Sequence, residues 1–143
     1  MSTNRHQRST AVLLCALGAL FASTPVTAST QPHVIELLAD KDSHYKIGGK
    51  TARQITVKAG EPIVLQIEAR LGKTWSRDGA VHGFTLLRTR DHAKVPGWDL
   101  ELKPGKQSFE LTAPAEPGEY EVMCTVICSD DHEGMRMKLT VVP

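Results

Sequence analysis

The strongest constraint on the fold is the alternation that closes the chain. Met135-Arg-Met-Lys-Leu-Thr-Val-Val142 switches between apolar and polar residues at almost every step. In a strand, successive side chains point to opposite faces, so Met135, Met137, Leu139 and Val141 share one face while Arg136, Lys138 and Thr140 share the other. An apolar row of this kind needs a facing layer to cover it. Similar runs recur upstream at Val34–Leu38, Gln54–Lys58, Ile63–Ala69, Val81–Leu87, Gln107–Thr112 and Glu119–Cys124. Gly60-Glu61-Pro62, Pro104-Gly105 and Pro117-Gly118 punctuate them. About seven short strands with turn signals at this spacing predict an all-β, Greek-key β-sandwich. Residues 70–80 and 88–100 read as the longest loops, each carrying one tryptophan, Trp75 and Trp98. No segment holds a convincing helical period, and there is no internal repeat.

Three of the predicted inward rows run into residues that bind metals. Tyr120, Val122 and Cys124 share a face, His82 shares one with Phe84 and Leu86, and Met135 heads the final row. An imidazole on an apolar face needs a partner, because an unsatisfied buried polar group costs about 1–3 kcal/mol. The loop between the last two strands adds Cys128 and His132. Two thiols, an imidazole and a thioether between Cys124 and Met135 are soft ligands that suit copper and not calcium or magnesium. Other readings stay open. Cys124 and Cys128 could form a disulfide, as an oxidising compartment favours, although the loop it closes is very small. A structural zinc site usually draws on C-x2-C pairs, and a thioether suits it poorly. Cys128 with His132 could be a catalytic pair. Met135 and His82 could be ordinary core residues.

The N-terminus sets an expectation about compartment. Arg5 and Arg8 precede an apolar run, Ala11 to Phe21, that is too short to span a bilayer. Val26-Thr27-Ala28 then offers small residues for cleavage. Residues 1–28 therefore read as a secretory signal peptide, with cleavage near Ala28 and loss of Cys15. Residues 29–143 would form one domain, periplasmic or secreted, with no membrane span. Without Arg5 and Arg8, the chain's 17 Lys and Arg fall to 15 against 16 acidic residues. That balance gives no sign of a nucleic-acid or membrane-surface binder.

The spacing C-x3-C-x3-H-x2-M at the end of an all-β chain, with a strand histidine about forty residues upstream, resembles the binuclear copper A domain of cytochrome c oxidase subunit II. The copper A domain of nitrous oxide reductase is a close relative. The likeness covers roughly residues 52–143. It rests on Val81-His82-Gly83-Phe84, Val95-Pro96-Gly97, Pro117-Gly118-Glu119-Tyr120 and the terminal cluster. The resemblance implies a cupredoxin-like sandwich holding two coppers. Cys124 and Cys128 would bridge both ions. His82 and Met135 would complete one, and His132 with the backbone carbonyl of Val126 the other. Met and backbone oxygen, as weak ligands, tune a potential. The family usually has Glu where this chain has Val126, and Gly where it has Ser129. Loss of that Glu, together with the lack of the family's two membrane helices, sets the chain apart from a standard oxidase subunit.

The function this implies is one-electron transfer between redox partners, such as a cytochrome c or an oxidase subunit, and not substrate turnover. The rival is a periplasmic copper chaperone or buffer that delivers copper to an oxidase. A third possibility is a detached subunit of a larger respiratory enzyme. Glu116, Glu119, Glu121, Asp130, Asp131 and Glu133 form an acidic stretch without Lys or Arg. It could steer a basic partner to the site, or be an ordinary solvated loop. His33, His44 and His92 read as surface histidines.

Overall fold

Ile63, Leu65, Ile67 and Ala69 are each 1–2% exposed, so the period-2 row read from the sequence does turn into a core. Burying a Leu or Ile side chain contributes about 1.5–3 kcal/mol, and such rows come from both sides of a sandwich. The computed structural model describes residues 31–72 and 78–143. The expected signal segment, Cys15 and Trp75 lie outside these described residues.

Among the described residues there are ten strands. These are β1 His33–Asp40, β2 His44–Ile47, β3 Lys50–Thr51, β4 Gln54–Lys58, β5 Pro62–Ala69, β6 His82–Arg88, β7 Lys94–Leu102, β8 Gly105–Thr112, β9 Gly118–Met123 and β10 Arg136–Val142. One sheet runs β3-β2-β1-β5-β8, the other β4-β10-β9-β6-β7. The chain changes sheets repeatedly, and parallel pairs (β1 with β5, β4 with β10) sit among antiparallel ones. Crossed connections of this kind characterise Greek-key sandwiches. Among the described residues a single 3-10 turn, His132–Gly134, interrupts the β structure. No helix among the described residues is long and apolar enough to cross a membrane.

All seven expected strands are present, with ends shifted by a residue or two. Three further strands correct the expectation. The segment read as a loop at 88–100 holds most of β7, which pairs with β6. Its Pro96-Gly97 hides the alternation, and both residues are tolerated because β7 is the edge of its sheet. The register with β6 also breaks between Thr85 and Leu87, and Gly97 adopts φ 81°. β2 and β3 are too short to show a period. Gly48 and Gly49, with φ 56° and 77°, form the two-residue turn that joins them. Trp98, expected on a loop, is 2% exposed in the core and stacks on Phe84 at 6.4 Å. Its indole N–H donates to the Thr112 carbonyl at 2.9 Å.

β6 differs from its neighbours. All of His82–Leu87 is buried, on both faces. Its inward face carries His82, Phe84 and Leu86. Its outward face carries Gly83, Thr85 and Leu87, and Gly83 and Thr85 are covered by the segment that follows β9.

Candidate metal centre

Cys124 follows the last residue of β9 and Met135 precedes the first of β10. Both keep the inward phase of their strands and are 1% and 0% exposed. The backbone holds them side by side, since the Cys124 N–H donates to the Met135 carbonyl at 3.0 Å. β6 lies on the other side of β9 and brings His82, 0% exposed, to the same end of the sandwich. Cys128 dips back from the loop to 0% exposure, although its neighbour Ile127 is 71% exposed.

One ring nitrogen of His82 and the sulfurs of Cys124 and Cys128 lie within 4.8 Å of one another. Both cysteines are free thiols, with sulfurs 3.5 Å apart. The Cys124 sulfur also lies 3.1 Å from the Val126 carbonyl oxygen. It accepts the Gly83 N–H at 3.2 Å. The His82 Nε2–H donates to the Arg70 carbonyl at 2.9 Å. A carbonyl only accepts, so the proton of the neutral ring sits on Nε2 and the Nδ1 lone pair is left over. That Nδ1 is buried with no hydrogen-bond partner. The two thiols pull each other apart in acidity. Cys124 is lowered to about 4, first by the hydrogen bond from Cys128, with the Gly83 N–H adding to the effect. Cys128 is pushed up by the same bond and by burial.

No protein-family model matches the chain, and no curated protein matches it. Solved structures do. A chain of a heme-copper terminal oxidase dimer is 20% identical over 77% of this chain, with a TM-score of 0.54. This chain spans 65% of that oxidase chain. Auracyanin B is 20% identical over 80% of this chain and 92% of its own, with a TM-score of 0.51. Auracyanin A, a blue copper protein from the photosynthetic bacterium Chloroflexus aurantiacus, is 17% identical over 78% of this chain and all of its own, with a TM-score of 0.50. The chain has the cupredoxin fold.

Within this cupredoxin sandwich the six expected site residues fall into two groups. His82, Cys124, Cys128 and the Val126 carbonyl converge, and Met135 is buried beside Cys124 through the backbone bond between them. His132 stands apart. It is partly exposed on the 3-10 turn, and its Nδ1–H donates to the Ser129 carbonyl at 3.0 Å. Its Nε2 therefore carries the ring's lone pair.

Gly83, Thr85, Thr125, Ser43 and Tyr45 also shape the site, and sequence reasoning missed them. A Cβ on Gly83 would stand 2.8 Å from the Thr125 nitrogen and 2.9 Å from its hydroxyl, so only glycine admits the loop here. Thr85 donates to Asp99 at 2.7 Å and pairs with Thr125 at 2.8 Å. The lone sequence signal for any of these was Gly83 next to His82 in a predicted strand, where a glycine marks close backbone approach.

The acidic stretch is less uniform than it reads. Glu116, Glu119 and Glu121 pair with Arg90, Lys138 and Arg136 at 2.6, 3.3 and 3.3 Å. Asp130, Asp131 and Glu133 stay exposed in the ligand loop. His33, His44 and His92 are exposed, as expected. His33 pairs with Glu61 at 2.9 Å, and the His44 ring donates to the Asp42 carbonyl at 2.7 Å.

Proposed function

We propose that this cupredoxin is an exported copper protein with a binuclear, copper A type centre that passes single electrons between redox partners. The observation that carries the reading is the His82 ring. A buried imidazole nitrogen without a partner costs about 1–3 kcal/mol, and this one belongs to a group that also holds two thiols. A metal ion would satisfy it. The hydrogen bond from Nε2 to the Arg70 carbonyl orients the ring for that role, as partners behind metal-bound histidines commonly do.

The donor set fits copper. Two sulfurs 3.5 Å apart can both touch one ion, since metal–thiolate bonds are about 2.3 Å long. Cys124, Cys128, His82, Met135 and the Val126 carbonyl would hold the metal, with His132 completing the set through Nε2 or after release of its bond to Ser129. Cys124 and Cys128 would hold the copper, which would supply one-electron exchange with little rearrangement of its donors. The chain's own part is to keep the donors fixed and dry. Cys124, Cys128, His82 and Met135 are all at most 1% exposed, which favours electron transfer over a carrier that must hand its copper to a partner. The exposed acids of the ligand loop suit a basic redox partner such as a cytochrome c.

Copper stoichiometry and an EPR spectrum on the reconstituted protein test the reading. Two coppers per chain and a seven-line hyperfine pattern are expected. A single tightly bound Cu(I) that transfers to an apo-acceptor supports delivery instead. A metal-free protein after reduction and refilling overturns both. Export is tested separately by the N-terminal residue of protein recovered outside the cytoplasm, expected to be Ser29.

A further inference from the structure

The β1–β2 hairpin lies upstream of the motifs that carry the copper A resemblance, yet two of its side chains reach residues next to the cysteines or bonded to them. Tyr45 is 1% exposed, and its hydroxyl donates to the Gly83 carbonyl at 2.5 Å. Gly83 is the residue whose N–H binds the Cys124 sulfur. Tyr45 packs edge-on against Phe84, the next residue of β6, with ring centroids 5.4 Å apart at 76°. That contact fixes the ring, so the hydroxyl holds the Gly83 backbone from a rigid base. Two residues earlier, Ser43 is 5% exposed, and its hydroxyl lies 2.6 Å from that of Ser129, the neighbour of Cys128.

The turn that carries Ser43 is itself constrained. Ser43 takes φ 59°, a left-handed conformation that a non-glycine residue keeps only where its surroundings over-determine it. Its N–H donates to the Asp40 carbonyl at 3.1 Å. Lys46 bridges Asp40 and Asp42 across the turn, at 2.6 and 2.5 Å. Gly72 fills the remaining gap, where an added Cβ would stand 3.2 Å from the Cys128 carbonyl and 3.6 Å from that of Lys41. The turn and the ligand loop are therefore packed together by hydrogen bond and by shape.

We propose that the β1–β2 hairpin is a working part of the metal centre, with Tyr45 and Ser43 as positioning residues that hold the Cys124 and Cys128 sulfurs in place. Neither touches the metal. Tyr45 acts through Gly83, and Ser43 acts through Ser129. The effect on bound copper rests on the functional reading above, whereas the holding role belongs to the chain alone.

The test compares Tyr45→Phe and Ser43→Ala with Tyr120→Phe. Tyr120 is also buried, and its hydroxyl also donates to a backbone carbonyl, that of Glu116 at 2.8 Å. It lies near the far end of β9 from Cys124. In reduced, copper-free protein, amide exchange by NMR should be about fivefold faster at Gly83 in Tyr45→Phe, the change expected for one lost hydrogen bond. Ser43→Ala should do the same at Asp131, whose N–H is held by the Ser129 hydroxyl. In copper-loaded protein both variants should shift the reduction potential and the sulfur-to-copper absorption, with stoichiometry unchanged, and Tyr120→Phe should shift neither. The proposal is overturned when Gly83 and Asp131 exchange as in Tyr120→Phe, or when the loaded variants keep the wild-type potential and spectrum. Should the wild type take up no copper, the functional reading fails, and amide exchange alone then decides whether the hairpin holds the sulfurs.

Discussion

The two arms of the ligand loop are built differently. Residues 124–129 are pinned to the sandwich from both sides. Gly83 and Thr85 of β6 hold Cys124 and Thr125, and Ser43 of the hairpin reaches the far end of the arm at Ser129. Residues 130–134 mostly hold themselves. The His132 N–H returns to the Ser129 carbonyl, the Gly134 N–H to the Asp131 carbonyl, and the Met135 N–H to the His132 carbonyl. Asp130, Asp131, Glu133 and Gly134 are exposed. The sulfur arm is therefore organised by tertiary contacts, while the histidine arm is organised by local turns. On the copper reading proposed above, such a division would hold the sulfurs in place and leave His132 to complete the donor set.

The comparison can be broken most decisively in the pinned arm. Cys128→Ser should abolish the binuclear EPR pattern altogether, and an unchanged two-copper signal would show the sulfur to be dispensable. Gly83→Ala comes next. The new methyl group meets backbone at 2.8 Å, and overpacking of this kind costs about 1–3 kcal/mol. Denaturant unfolding should show that loss, accompanied by weaker copper retention. His132→Ala probes the free arm. It should cost less than about 0.5 kcal/mol, as exposed substitutions do, yet alter the copper spectrum. A large stability loss there would mean that His132 supports the fold and that the arms are not distinct. Met135→Leu should have the smallest effect, under about 1.5 kcal/mol for a volume-conserving core change. It should move the potential while leaving the copper load intact, as voltammetry and metal analysis would show.

The rows that end at the site were legible because alternation in β6, β9 and β10 fixes which side chains point inward. His82, Cys124 and Met135 followed from phase, and Cys128 and His132 from ligand spacing. What escaped the sequence was non-local or short. Ser43 and Ser129 meet across 86 positions and Tyr45 and Gly83 across 38, and no local pattern announces such pairs. β2 and β3, of four and two residues, are shorter than any readable period. In β7, Pro96-Gly97 broke the alternation that would have revealed a strand and, with it, the buried place of Trp98. The acidic stretch misled in a different way. Its partners Arg90, Arg136 and Lys138 are supplied by other segments, so charge counted along the chain overstated the charge the surface presents.

The double burial of β6 also bears on transplantation. Residues 124–135 carry most of the proposed donor set and look portable, a cassette that could be spliced between the last two strands of another sandwich. Yet the cassette fits here only because the neighbouring strand has no side chain at Gly83. A recipient bearing even a methyl group at that point would push the graft outward and spread its sulfurs, so the glycine has to travel with the loop.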